Sequence, residues 1–152
     1  MRLRIGDILE FETPKGLAYA QYSHEHPEYG ELIRVLPGLH QHRPSDLSSL
    51  AQAQERFYVF YPVRPEVKDG LIRVAGSAPV PDRAKAFPMM RAPGAFDLKT
   101  GETRVWWLWD GTTSTRIGDL TPDLAKLSIK FFPSYSLLVE RLADEWSPED
   151  RQ

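Results

Sequence analysis

Turn-forming residues interrupt this sequence so often that they disfavour a bundle of long helices. The chain of 152 residues contains thirteen prolines and ten glycines. Glycine adopts backbone angles that other residues avoid, and proline removes a backbone donor, so both residues tend to end helices and strands. The segments between them are short and mostly alternate apolar with polar residues. This punctuation predicts many short elements joined by turns.

The first two strands are predicted to form an antiparallel hairpin. Ile5–Thr13 ("IGDILEFET") has the alternation of a half-buried strand, and Pro14–Gly16 ("PKG") supplies a tight turn before Leu17–His24 ("LAYAQYSH"). Ala18 and Ala20 are small enough to let a neighbouring layer approach closely. We therefore predict a strongly bent, mainly antiparallel sheet that is partly barrel-like.

The later elements complete a predicted α+β fold. Strands are expected at Glu31–Leu36, Phe57–Val63, Leu71–Gly76 and Arg104–Trp109, and helices at Ser45–Gln54, after the Thr121–Pro122 cap and at Tyr135–Trp146. Because Phe57–Val63 is apolar on both faces, it is expected in the middle of the sheet. A turn at 99–101 predicts that the tryptophan-rich strand returns as a hairpin. We expect one globular domain at 1–146, followed by a polar tail at 147–152.

Charge and composition exclude several function classes. Nineteen basic residues stand against 21 acidic ones, so the basic excess that accompanies nucleic-acid binding is missing. Cysteine is absent, which removes thiolate nucleophiles, disulfides and sulfur ligands. The sequence has no secretory h-region and no apolar segment of about 20 residues. We expect a cytoplasmic protein without a membrane or nucleic-acid partner.

The four histidines form two His-x-His pairs, and these are the sharpest candidates for a metal site. The pairs are His24 with His26 and His40 with His42. On an extended chain, residues i and i+2 face the same way, so each pair could offer two imidazoles to zinc or copper. A proline follows closely after each pair, however, which favours solvated loop histidines and no bound metal.

No catalytic motif is present. Glu10 and Glu12 share a strand face at about 6.6 Å, a spacing at which paired carboxylates can work as acid and base. Alternate charged residues are more often the solvent face of a strand. A nucleophile elbow and a phosphate-binding glycine loop are both missing. The sequence therefore predicts that the protein is not an enzyme and carries no cofactor.

Three of the four tryptophans lie in one predicted strand, "RVWWLW". Its side chains alternate, so Val105, Trp107 and Trp109 point one way while Arg104, Trp106 and Leu108 point the other. Both faces must therefore be covered. The closing helix and the bent sheet could cover them as core. Alternatively, Trp106 or Trp109 stays partly exposed beside Arg104 and Arg116, a grouping that protein interfaces favour.

The order of elements resembles the immunity protein 26 family of bacterial polymorphic toxin systems. The motifs that carry this resemblance are "GDILEF", "GLAYAQY", "GSAPVP", "FP", a late aromatic strand and "SYSLLVERL". The matching positions are Gly6 and Asp7, the turn residue Gly16, Gly76 with Pro79 and Pro81, and Leu138 and Glu140 in the closing helix. The segments "EHPEYG" and "HQHRP" do not match the family pattern.

The resemblance implies an α+β protein that neutralises a cognate toxin by stoichiometric binding and has no catalytic role. The candidate anchors of that interface are Tyr29, Arg104, Trp106 and Trp109. The competing interpretation is a small-molecule binder or a metal-dependent enzyme, with a bent-sheet pocket lined by Tyr19, Tyr22, Tyr58, Tyr61 and the tryptophans. A third is a homo-oligomer whose second copy covers the tryptophan strand.

Overall fold

The structure is a computed structural model that describes residues 2–150. Within that range it is an α+β fold made mostly of antiparallel strands, with three short helices and no closed barrel. The strands are β1 (Asp7–Thr13), β2 (Gly16–His26), β3 (Gly30–Val35), β4 (Phe57–Phe60), β5 (Arg73–Ser77), β6 (Met90–Pro93), β7 (Phe96–Asp97), β8 (Glu102–Thr103), β9 (Trp106–Trp109), β10 (Ser114–Gly118) and β11 (Ser128–Ile129). The helices are α1 (Leu47–Gln52), α2 (Val63–Lys68) and α3 (Tyr135–Ala143).

A five-stranded antiparallel sheet in the order β4-β3-β2-β1-β5 forms the centre of the fold. One of its faces packs under α3, where Leu138 and Leu142 meet the alternate apolar residues of β1 to β4. The opposite face is covered in part by α1 and in part by a second sheet. Both faces are therefore buried, and β1 is not the half-buried strand that its alternation predicted, since Ile8 and Glu10 are as enclosed as Leu9.

The α1 side of the sheet encloses a polar network around Arg34, which is completely buried. The guanidinium donates from Nε to Glu55 at 2.9 Å, from Nη1 to Gln21 Oε1 at 2.7 Å and to the Ala51 carbonyl at 2.9 Å, and from Nη2 to the Ala53 carbonyl at 2.8 Å. A buried charge is tolerated only when it is paired and hydrogen-bonded. Arg34 meets that condition and ties β3 to the end of α1.

A second sheet, ordered β10-β9-β6-β11, contains the tryptophan strand. The sequence predicted that this strand returns from the 99–101 turn, and the structure confirms it. The turn closes the short hairpin β7–β8, and the same register continues through the Gly94–Val105 and Ala95–Arg104 backbone hydrogen bonds into the pairing of β6 with β9. Strand β9 also pairs with β10 on its other side.

Strand β4 lies at the edge of the five-stranded sheet and not in its middle. It is apolar on both faces because Phe57 and Val59 pack in the core under α3, while Tyr58 and Phe60 pack in the core between the two sheets. Its outer edge is closed by the segment around β11. The Tyr58 amide donates to Ser128 Oγ at 2.7 Å, and the Phe60 amide donates to the Phe131 carbonyl at 3.3 Å. This cover protects the strand edge from pairing with another chain.

The helices and the C-terminal tail differ in several details from the sequence prediction. Helix α1 is capped by Asp46, which accepts from the Ser49 amide at 3.0 Å, in place of the predicted Ser45. The predicted helix after Thr121 is a single 3-10 turn, Leu124–Lys126, and α2 was not predicted. In the expected tail, Pro148 is buried and its carbonyl accepts from Arg91 at 2.7 Å. No helix in residues 2–150 is long and apolar enough to cross a membrane.

Candidate partner-binding site

An aromatic cluster lies where five parts of the chain meet: the end of β2, the end of β4, the segment before β6, the end of β9 and the segment just after β11. We call it the aromatic site and define it by His26, Tyr29, Phe60, Phe87, Trp109, Lys130 and Phe132. Its ring centroids are 5.0 to 6.2 Å apart in stacked, tilted and edge-on arrangements. Such pairs add stability beyond the area they bury. Each aromatic ring of the cluster is therefore packed against at least two others.

Two rings of this cluster hold the ammonium group of Lys130. Its Nζ lies 4.1 Å from the centroid of Tyr29 and 4.3 Å from that of Trp109, and it donates to the Tyr29 hydroxyl at 3.0 Å. Within residues 2–150, no carboxylate lies within 4.0 Å of this Nζ. The positive charge is positioned by ring faces and remains available to an acidic group.

His26 holds the β2–β3 turn against the second sheet. Its Nε2 lies 2.7 Å from the Gly111 carbonyl, and its Nδ1 accepts from the amides of Glu28 at 3.0 Å and Tyr29 at 3.2 Å. A carbonyl only accepts and an amide only donates, so this pattern assigns the neutral tautomer with the proton on Nε2. The ring also stacks on Tyr29, which fixes that side chain in the site.

Exposure separates the framework of the aromatic site from its surface. Trp109 is only 4% exposed and fills the space between the two sheets, whereas Phe132 is 53% exposed. Phe132 stacks on Phe60 at 5.2 Å and tilts against Tyr29 at 5.5 Å. The accessible part of the site is thus led by the exposed Phe132, with half-buried Tyr29, Lys130, His26 and Phe87 around it.

The other two predicted anchors lie outside this surface. Trp106 is 4% exposed and faces the opposite side of β9, where Arg91 lies 4.4 Å from its ring centroid. It shares only a cavity of about 80 Å³ with Lys130. Arg104 is exposed, and its Nε lies 3.4 Å from Asp97. The structure therefore joins Tyr29 and Trp109 directly and leaves Trp106 and Arg104 outside the aromatic site.

The first His-x-His pair is engaged in hydrogen bonds and lies on a strand and not in a loop. In the second pair, His42 is exposed, and the buried Nε2 of His40 has no hydrogen-bond partner within residues 2–150. His24 contacts Ser23 Oγ through Nδ1 at 2.9 Å and the Lys85 carbonyl through Nε2 at 3.0 Å. Burial lowers the pKa of His24 below its ordinary value. Both nitrogens of His26 are also occupied. Among residues 2–150, no group of three or more histidine or acidic side chains is arranged to hold a metal.

The two glutamates of β1 have different environments. Glu10 is buried and accepts from Arg43 at 2.8 and 3.0 Å and from the Tyr19 hydroxyl at 2.7 Å. The bonds from Arg43 hold the pKa of Glu10 below its ordinary value, although burial opposes them. Glu12 is exposed, 3.8 Å from Arg73. The tyrosines of the predicted pocket are also apart, since Tyr19, Tyr58 and Tyr61 belong to three separate core clusters.

Sequence reasoning missed Lys130 and Phe132, and it missed the bulge that orients His24. The segment "IKFFP" places one cation among apolar residues before a proline, which was the available signal. At Ser23 the β2–β3 register shifts, so His24 leaves the face of Ala20 and packs beside Tyr58 and Phe87. A bulge of this kind moves a side chain to the other face without any glycine to mark it.

Comparison with known proteins adds no relative. No family model matches this chain, and no match was found among curated proteins or solved structures. The resemblance to immunity proteins therefore rests on the sequence motifs given above.

Proposed function

We propose that this protein is a cytoplasmic immunity-type protein, which binds and neutralises a cognate bacterial toxin through the aromatic site. The motif resemblance is the reason for proposing an immunity function. The absence of a recognisable catalytic motif in the sequence agrees with that function. The site supplies the location for binding, since exposed aromatic side chains are enriched at protein interfaces.

The observation that carries this proposal is the position of Lys130. Its charge lies over two aromatic rings, has no ion-pair partner in residues 2–150 and stands beside the exposed Phe132. Interfaces draw most of their binding energy from a few such anchors surrounded by less important contacts. Tyr29, Lys130 and Phe132 are therefore the expected contacts, and Trp109 supports them from below.

Affinity capture followed by a protection assay tests the proposal. Wild type is compared with the double variant Lys130→Met/Phe132→Ala and with a control, Phe96→Ala/Lys99→Met. The control removes the same side-chain types from the β7–β8 hairpin, where Phe96 is equally exposed. The captured protein is then expressed alone and together with each form.

Wild type and the control are expected to capture the same protein and to restore growth when that protein is toxic. The site variant is expected to lose both properties. A captured protein that is harmless when expressed, or protection by the site variant equal to that of wild type, would overturn the proposal.

A further inference from the structure

A second surface, which meets the aromatic site only at Phe87, has the form of a groove. Three adjoining cavities of about 500, 570 and 570 Å³ run along the segment that precedes β1. The first two share Arg2, Leu3 and Arg64, and the second and third share Ile5 and Glu25. We call this surface the basic groove. Because the three cavities adjoin one after another, the groove suits an extended chain.

The basic groove concentrates positive charge on a protein whose formal net charge is −2. Among the described residues that line it, the cations are Arg2, Arg4, Arg64, Lys68 and Lys85, and the single carboxylate is Glu25. Arg64 pairs with Glu25 and Glu31, and Lys85 pairs with Asp82. Arg2, Arg4 and Lys68 have no ion pair within residues 2–150, so the groove presents three uncompensated charges.

Apolar side chains alternate with these charges along the groove. Leu3, Val67 and Val74 line one end, while Ile5, Pro79 and Val80 line the other. Ile5 is 54% exposed although it is large and apolar. Exposed apolar groups that are interleaved with cations fit a ligand that itself alternates apolar and acidic groups.

We propose that the basic groove binds an extended, acidic segment of a partner protein, in which carboxylates alternate with apolar side chains. The uncompensated cations would meet the carboxylates, and the aliphatic wall would meet the apolar side chains. Nucleic acid fits less well, because single strands are held by aromatic platforms that stack on bases, and most of the apolar lining here is aliphatic. The inference does not depend on the proposed function, since it concerns another surface.

Peptide binding to the full chain tests this inference, measured by fluorescence polarisation. The probes are a labelled peptide of about ten residues that alternates Asp with Val, the same peptide with Ser in place of Asp, and a labelled oligothymidine. Ten extended residues span roughly 33 Å. The proteins are wild type, Arg4→Glu/Lys68→Glu and a control with the same charge change, Lys99→Glu/Lys126→Glu, whose side chains are exposed outside the groove.

The Asp peptide is expected to bind wild type at least about tenfold tighter than the Ser peptide, and more weakly as salt rises from about 50 to 500 mM. Arg4→Glu/Lys68→Glu is expected to lose at least about tenfold in affinity, and the control less than about threefold. Circular dichroism checks that each variant is folded. Equal affinity for both peptides, no binding of either, an equal loss in both variants or tighter binding of oligothymidine would each overturn the inference.

Discussion

Arg34 and Lys130 are two cations on the same side of the central sheet, and different groups surround their charges. Arg34 is fully buried, and its guanidinium donates hydrogen bonds to a carboxylate, a side-chain amide oxygen and two backbone carbonyls. Lys130 is only partly buried, and its ammonium meets two ring faces and one hydroxyl. The charge of Arg34 is neutralised within the fold, whereas the charge of Lys130 remains available at the surface.

This difference separates residues that hold the fold from residues that can bind a partner. A cation that is neutralised inside the protein contributes specificity to the core, and breaking its network is costly. A cation held by aromatic rings keeps most of its capacity to attract an acidic group, because the rings carry no formal charge. Four substitutions test this difference by the loss of stability that each one causes.

The largest expected effect is that of Arg34→Met. The change leaves Glu55, Gln21 and two buried carbonyls without their donor, so the free energy of unfolding should fall by about 4 kcal/mol. Urea denaturation measures the loss. Arg116→Met removes an exposed cation and should cost less than about 0.5 kcal/mol. A loss below about 1 kcal/mol for Arg34→Met would mean that the network is not structural.

The second largest effect is expected for Trp109→Ala. This change empties the space between the two sheets, so the free energy of unfolding should fall by about 3 kcal/mol. The same variant should lower partner binding only through the displaced Tyr29 and Lys130. Thermal unfolding monitored by near-UV circular dichroism gives the stability. If Trp109→Ala unfolds at the same temperature as wild type, Trp109 is not the framework of the aromatic site.

Glu10 gives a pH-dependent effect of intermediate size. Since Arg43 lowers its folded pKa, the folded state binds fewer protons at Glu10 than the unfolded state does. The resulting stability is present above the ordinary pKa of 4.5 and is lost as pH falls through the folded pKa. Glu10→Gln should cost about 1 to 2 kcal/mol at neutral pH. Urea titrations at several pH values should show the difference between wild type and variant shrinking below pH 4.5, and a constant difference would contradict this assignment.

The smallest effect on stability is expected for Lys130→Met. The methionine keeps contact with the rings, and the lost cation–π attraction is worth about 0.5 to 1 kcal/mol at a partly exposed site. Urea denaturation beside Arg34→Met gives the direct contrast between the two cations. A loss for Lys130→Met as large as that for Arg34→Met would remove the distinction between them.

The sequence predicted well what is decided by neighbouring residues. The β1–β2 hairpin with its turn before Gly16, strand β3 and the start of the closing helix at Tyr135 all depend on local alternation, turns and caps. The placement of indoles on both faces of the tryptophan strand was also correct, because alternation alone dictates it.

What the sequence did not predict depends mostly on distant contacts. The bulge at Ser23 is local, but no glycine marks it. The cover of β4 by the segment around β11 joins residues 70 positions apart in the chain. Lys130 and Phe132 enter the candidate site only because that cover brings them beside Tyr29. A pattern of alternation gives the face on which a side chain lies, and the neighbouring strand determines what it contacts.

The most direct test of the central claim is the affinity of the purified, captured partner for three forms of this protein, measured by calorimetry. Lys130→Met/Phe132→Ala should weaken binding at least about 30-fold, which corresponds to roughly 2 kcal/mol, while unfolding at nearly the same urea concentration as wild type. Phe96→Ala/Lys99→Met should change the affinity less than about twofold. Affinities that are equal for the two double variants would contradict the assignment of the aromatic site as the surface that binds the partner.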